Sequence, residues 1–189
     1  MIARIAANLL SVFLLIGAGQ AAAQSSRNAI SVGAGINPLG TIAPVVQYEY
    51  LLNDMVSIGG KFLRLEYTYD DGSYHETGDG SGGEILVHVY FQNQGYKGPY
   101  LAAGIGQFNV DWEWRDPSAA PAFRAGNGKT SGAEVSATFG WKIPLSKNFF
   151  LDPSITLGNF FGSAKDNTGS KESQLGFYGA AMFKFGFNF

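Results

Sequence analysis

The sequence predicts an all-β protein, an eight-stranded antiparallel up-and-down transmembrane β-barrel over residues 24–189. Three observations point there. The first is the C-terminal stretch QLGFYGAAMFKFGFNF, which puts Phe177, Gly179, Ala181, Phe183, Phe185, Phe187 and Phe189 on one parity. Tyr178, Ala180, Met182, Lys184, Gly186 and Asn188 take the other. A strand turns successive side chains to opposite faces, so one face is a stripe of phenylalanine and the other is small or polar. A helix would spread those rings around its whole circumference. The second observation is composition. The chain has 26 glycines and 14% aromatic residues but only 15% charged ones, where a soluble globule carries about a quarter. The third is length: about 165 residues after residue 23 hold roughly eight crossings of 9–11 residues with their connections. An edge strand of a soluble sandwich is the rival, but it would rarely leave so apolar a strand at a fraying chain end.

The opening, MIARIAANLLSVFLLIGAGQAAAQ, has the layout of a secretory leader. Arg4 supplies a positive start, Ile5 to Ile16 is apolar, and Ala21-Ala22-Ala23 offers a small-residue cleavage site, so residues 1–23 are expected to be removed. The apolar run is about a dozen residues, too short for a spanning helix of roughly 20. The chain has no cysteine, which excludes lipoprotein processing, a disulfide framework and thiolate metal sites. A net charge of -2 argues against a nucleic-acid partner.

The strands follow in order. The first, Ala29 to Ile36, puts Ile30, Val32, Ala34 and Ile36 on one face, and Asn37-Pro38-Leu39-Gly40 is a turn by composition. The second, Ile42 to Leu51, sends Val46, Tyr48 and Tyr50 outward and Gln47 and Glu49 inward, with Pro44 near its start. The third, Met55 to about Tyr69, has Val56, Ile58 and Phe62 on one parity, then Leu63, Leu65, Tyr67 and Tyr69 on the other. That change suggests a bulge near Phe62, or an upper half clear of the membrane. Asp70 to Gly83 reads as a long polar loop. The fourth strand, Glu84 to Phe91, alternates cleanly, with Ile85, Val87, Val89 and Phe91 out.

The fifth strand puts Leu101, Ala103 and Ile105 outward. A second phase slip is expected before Phe108, Val110, Trp112 and Trp114. Arg115 to Ser131 reads as another long loop. The sixth, Gly132 to Ile143, faces lipid with Ala133, Val135, Ala137, Phe139, Trp141 and Ile143. The seventh, Phe149 to about Phe160, sends Leu151, Ile155 and Leu157 outward, although Pro153 interrupts its donors. Gly162 to Ser173 is a third long loop, and the phenylalanine stripe is the eighth strand. Short connections thus alternate with long polar ones. Tyr48, Tyr50, Phe91, Tyr100, Trp141, Phe149, Phe187 and Phe189 are expected to form a girdle at one end. Tyr67, Tyr69, Trp112, Trp114, Phe160 and Phe177 are expected to form a second at the other.

Phe185, Phe187 and the terminal Phe189 resemble the assembly signal of outer-membrane barrel proteins. With the leader and the eight alternating segments, residues 27–189 resemble the small eight-stranded outer-membrane barrels of the OmpA and OmpX type. The resemblance implies a bacterial outer-membrane location, contact with outer-membrane lipid and lipopolysaccharide, handling by the barrel-assembly machinery, a monomer and no cofactor. It is architectural, and function does not follow from it.

The inward charges Glu49, Lys61, Glu84, His88, Glu134, Lys142, Asp152 and Lys184 are the candidate site. An eight-stranded lumen is just wide enough to be filled by side chains, so mutual pairing into an ionic plug is expected. That favours a non-enzymatic structural or surface-interaction protein. The same charges could instead line a narrow path for solutes or ions. A lipid-A-modifying enzyme is the third reading, since small outer-membrane barrels include enzymes that pair a histidine with a serine. His75 and His88 are the only histidines, and no serine lies two residues from His88. Asp70, Asp71, Glu76, Asp79 and Glu84 match no calcium loop. Arg115, Arg124 and Lys129 are candidate contacts to lipopolysaccharide phosphates.

Overall fold

The computed structural model describes residues 26–38, 40–92, 95–119, 125–167 and 171–189, with the backbone alone at 43 and 171–175. The expected leader, residues 1–23, lies outside them. Eight strands run β1 (Asn28–Ile36), β2 (Gly40–Leu51), β3 (Val56–Asp70), β4 (His75–Tyr90), β5 (Gly98–Arg115), β6 (Ala125–Pro144), β7 (Phe149–Asp166) and β8 (Lys171–Asn188). Each pairs antiparallel with its sequence neighbours, and β1 pairs with β8, which closes the barrel. At the base, Asn28 and Phe189 exchange backbone N–H···O bonds of 3.1 and 2.9 Å. The closed eight-stranded fold expected from the pattern is therefore the one present.

The wall is inside out relative to a soluble protein. Ile105 is 64% exposed and Ile155 58%, while Glu49 is 1% exposed and Lys142 0%. Water cannot be the solvent for that apolar band, so it is the face for lipid. The ladder makes this possible, because closure satisfies the backbone polar groups within the wall.

Several glycines have a specific reason to be there. The Tyr100 ring lies over Gly140, Phe150 over Gly186 and Tyr178 over Gly158, each where a Cβ would stand 2.1–2.5 Å from ring atoms. Large inward rings fit a narrow lumen only if the facing residue on the next strand has no side chain.

The loops are much shorter than the polar composition suggests. The stretch read as loop after Tyr69 is mostly strand, leaving a turn at 71–74 where Asp71 accepts from Ser73 and Tyr74 and Gly72 has φ 89°. The stretches read as loops after Arg115 and Gly162 are likewise mostly paired strand, with residues 120–124 and 168–170 outside the described ones. β5 to β8 reach 18–20 residues, about 8 more than a crossing needs. β1 and β2 have only 9 and 12. Strands β3–β8 thus continue past the short first hairpin as an extension of the wall.

No bulge occurs near Phe62, where the other reading of β3, an upper half clear of the membrane, fits the unbroken parity, and the slip expected before Phe108 does not occur. β3 and β5 hold one parity throughout; above the apolar band it is the apolar residues that turn inward. Ile42, Val45, Leu63, Ala180 and Met182, with Leu65 and Phe108, form an apolar layer across the lumen. The one-residue bulge lies instead in β2 between Ile42 and Val45, around Pro44, whose missing N–H favours a break in the ladder. Pro153 interrupts the β6–β7 ladder without shifting it: pairing passes from Gly140–Ser154 to Ile143–Leu151 in the same register.

The expected girdles need correction in consequence. At the base, Phe149, Phe185, Phe187 and Phe189 stack with centroids 5.0–6.1 Å apart. Tyr100 is fully buried inside and does not belong with them. At the far end Tyr67, Tyr69, Trp112, Trp114 and Phe160 lie on the inward parity. Phe62, Phe161 and Phe177 are exposed rings of the outward parity, and Tyr69 is exposed as well.

Candidate functional site

Five of the eight inward residues meet at the base of the lumen. Lys142 Nζ donates to Glu49 Oε1. Glu49 also accepts from Tyr90 Oη at 2.7 Å, Ser57 Oγ at 3.0 Å and Gln47 Nε2 at 2.7 Å. Lys184 Nζ bridges Gln47 Oε1 at 2.8 Å and Asp152 Oδ2 at 3.0 Å, while Tyr100 donates to Asp152 Oδ1 at 2.8 Å. His88 sits between them, with Nε2 3.2 Å from the Gln47 amide and Nδ1 3.7 Å from Glu49 Oε2.

Below, the network is capped by rings. The Lys142 ammonium stands 4.6 Å from the Phe150 centroid and 4.8 Å from Tyr96, and the Tyr96 hydroxyl is anchored on the carbonyls of Arg27 and Glu49 at 2.6 and 3.0 Å. Ring faces are electron-rich, so they hold a dehydrated ammonium well.

Higher up, Lys61 pairs with Glu84, and Ser136 donates to the same carboxylate. Thr138 and Thr156 join at 2.7 Å. Glu134 takes the Tyr178 hydroxyl at 2.6 Å. Two ion pairs at the base, joined through Gln47, and one in the middle thus fill the charged layers, and the apolar layer lies beyond. Every charge of the expected set faces inward, in two groups rather than one.

Sequence reading missed the donors that hold the carboxylates: Tyr90 and Tyr178 read only as inward residues, Tyr100 as a girdle ring, and Ser57 carried no signal. Their parity was visible, but which strand each would reach across to was not. Nothing in the sequence marks Tyr96, which lies just before β5 and packs with the buried rings at the base.

The two histidines are apart, and the serine and carboxylate beside one of them are sealed in the base: Ser57 stands opposite His88 and donates to Glu49, and all three are 0–1% exposed. His88 is 1% exposed at the base, whereas His75 begins β4 at the far end with Nδ1 3.2 Å from Asp70 Oδ2. The five carboxylates Asp70, Asp71, Glu76, Asp79 and Glu84 are dispersed as well. Asp71 caps a turn, Glu76 accepts from Tyr67 and Tyr74, Asp79 pairs with Arg64, and Glu84 lies in the lumen. Among the described residues no group of carboxylates or histidines is arranged to hold a metal ion.

Past the apolar band, a cleft of about 740 Å³ crosses the extension between two cross-strand rows. One row runs Glu66, Asp79, Asp111, Lys129, Lys165, and the next Thr68, Thr77, Glu113, Asn127, Asn167. Both rows are on the outward parity. Lys129 Nζ pairs with Asp111 at 2.7 Å, and Arg64 reaches Asp79 from the row below. Arg115 and Lys129 are exposed, as expected of surface cations; Arg124 lies outside the described residues.

A closed, plugged, lipid-faced barrel of eight strands defines the class, the small transmembrane β-barrels. The chain matches no protein-family model and no curated protein. Its fold is similar to solved outer-membrane barrels over 88% of this chain and 100% of each. The N-terminal β-barrel domain of Pseudomonas aeruginosa OprF aligns at 17% identity with a TM-score of 0.50. Ail, the attachment invasion locus protein of Yersinia pestis, aligns at 13% and 0.53. A major outer membrane protein of Thermus thermophilus aligns at 13% and 0.55. At such identities the likeness is one of fold.

Proposed function

We propose that this chain is a bacterial outer-membrane protein of structural or surface-interaction type, without enzymatic activity. The observation that carries the reading is the filled lumen: paired charges and rings at the base, an ion pair in the middle and an apolar layer beyond. Buried ion pairs in so narrow a space are held by several hydrogen bonds each, which favours a fixed plug over a path for ions. The asymmetry of the ends supports the orientation. Short turns and both described chain ends lie together at the base, the periplasmic side in such barrels, and the long hairpins project outward. Outer-membrane lipid and lipopolysaccharide are the surroundings this wall fits.

Conductance in planar bilayers tests the reading. Purified barrel is expected to give no discrete openings, and steady single-channel steps would transfer the proposal to the narrow channel. Mass spectra of lipid A from cells with and without the protein are expected to be identical; a modified species would revive the enzyme.

A further inference from the structure

Above the apolar layer the lumen does not fill again. The cleft of about 740 Å³ is centred on the inward row between the two outward ones, which runs Tyr67, Gly78, Trp112, Gly128, Asp166 across β3 to β7. Tyr67, Trp112 and Trp114 are only half-buried there, whereas Tyr90, Tyr100 and Phe150 in the plug are sealed. The wall is low on one side. β2 starts at Gly40, opposite Tyr67, and β1 pairs with β8 no higher than Ile36 and Ala181. The result is a cup with the apolar layer as its floor, five adjacent strands as its wall and a lip over the first hairpin. Small-molecule sites have volumes of about 300–1,000 Å³, so the cup is of that size.

Ring faces line this wall. A Cβ on Gly128 would stand 2.3, 2.6 and 2.7 Å from three adjacent atoms of the Trp112 indole, and one on Gly126 would stand 2.7 and 2.8 Å from two bonded atoms of Trp114. On Gly78 it would meet three adjacent atoms of the Tyr67 ring at 2.1–2.8 Å. Such similar distances to bonded ring atoms mean that each ring lays one face on the neighbouring strand and turns the other to the lumen. Their polar edges are already engaged. Trp112 Nε1 donates to Thr130 Oγ1 at 3.0 Å, and Tyr67 Oη donates to Glu76 Oε1 at 2.6 Å. The cup therefore offers a ligand electron-rich ring surface more than directed hydrogen-bond donors.

Its charge has one sign. Among the described side chains, the inward charged residues above the apolar layer are Glu76 and Asp166, and no Lys, Arg or His faces inward there. Carboxylates and ring faces both repel an anion and attract a cation. We propose that the outer half of the lumen is a binding cup for a small organic cation, an ammonium bearing alkyl or aryl groups. Cation–π contact with Trp112, Trp114 and Tyr67 would hold the charge, and the apolar part would rest on the floor. The site rests on the plugged-lumen reading for that floor and gives the surface-interaction reading a ligand class.

The test uses the full mature barrel folded in neutral polyoxyethylene micelles, with folding scored by the heat-modifiable shift. Binding of benzyltrimethylammonium is measured by ligand-observed NMR titration against empty micelles, beside uncharged benzyl alcohol, benzenesulfonate and methyl glucoside. The parent is expected to bind the ammonium about tenfold or more tighter than the other three. Trp112→Leu/Trp114→Leu keeps apolar bulk without the rings and should lose about tenfold in affinity. Tyr67→Leu, on another strand of the wall, should lose part of it with both indoles in place. Glu76→Gln/Asp166→Asn should narrow the preference for the ammonium over benzyl alcohol, while Glu66→Gln/Glu113→Gln, on the outward parity, should leave it unchanged. Equal binding of benzyl alcohol or benzenesulfonate overturns the cation as ligand, and tighter binding of methyl glucoside overturns it in favour of a carbohydrate. Parental affinity in the folded tryptophan and tyrosine variants overturns the ring faces as the site, and an equal loss in the outward glutamate variant overturns its place inside the lumen. Any of these results leaves the plug standing, because conductance tests that separately.

Discussion

Lys142→Met probes the plug at its most buried pair. The Lys142 and Glu49 side chains are 0% and 2% exposed, and removing one member of such a pair costs about 3–5 kcal/mol, because the other charge stays buried. Here the stranded carboxylate would keep three donors, Tyr90 at 2.7 Å, Ser57 at 3.0 Å and Gln47 at 2.7 Å. The methionine thioether would also remain among the Phe150 and Tyr96 rings, where sulfur packs favourably. Both effects place the loss at the lower end, about 3 kcal/mol. Glu49→Gln/Lys142→Met removes both charges and is expected to recover to within about 1 kcal/mol of the parent. Urea unfolding in phosphatidylcholine vesicles, followed by tryptophan emission, measures both. A single variant as stable as the parent, or a double variant weaker than the single, would refute the claim that this pair is a sealed structural unit.

Other perturbations separate parts of the account. Gly33→Ala would set a Cβ 2.1 Å from the Phe183 carbonyl oxygen and should lower the folded fraction by preventing β1–β8 closure, whereas Gly60→Ala meets nothing within 4 Å and should fold like the parent; equal yields would count against that closure geometry. Ala181→Arg on the lipid face should cost roughly 2–4 kcal/mol if it stands at the bilayer midplane, read by the same urea titration. Deleting Phe189 is expected to block assembly in cells while Lys184→Met still inserts, and an assembled deletion variant in isolated outer membranes would contradict the role given to the terminal ring. In the turn at 71–74, the backbone N–H groups of Tyr74 and Ser73 hold the Asp71 carboxyl below its ordinary value. A depressed carboxyl stabilises above the unfolded value of about 4 and loses that as pH falls. The Ser73 and Tyr74 amide resonances should therefore move together below about pH 4 in the parent but not in Asp71→Asn; a flat parent would sink this.

Much of the wall was legible because lipid imposes a simple rule on each strand. β4, β6 and β8 face as their alternation says, and all eight inward charges lie inside. The rule fails where the wall leaves the lipid. On β3 and β5 the apolar side passes from outside to inside at Phe62 and Ile105, so Leu63, Leu65, Phe108 and Trp112 read as a slipped register when only the solvent had changed.

The hairpins of the extension were mistaken for loops for a related reason. Gly78, Gly80 and Gly82, and Gly126 and Gly128, recur at every second position. Gly78 lies under the Tyr67 ring, Gly82 under Phe108 and Gly128 under Trp112. A period of two in glycine was the available signal, and it marks strand rather than loop. The base network was less legible. Inwardness can be read from parity, but partners such as Tyr100 and Asp152, 52 residues apart, depend on barrel stagger that no local pattern states.

Quenching of tryptophan by lipids brominated on their acyl chains tests the central claim most directly. Trp141 is 49% exposed on the lipid-facing parity, while Trp112 and Trp114 lie on the inward parity of the extension. In brominated vesicles, Trp112→Phe/Trp114→Phe, which keeps Trp141 alone, should be strongly quenched, and Trp141→Phe should be nearly unaffected. The reverse order, or no quenching in either, would contradict a barrel that stands in lipid with this face outward.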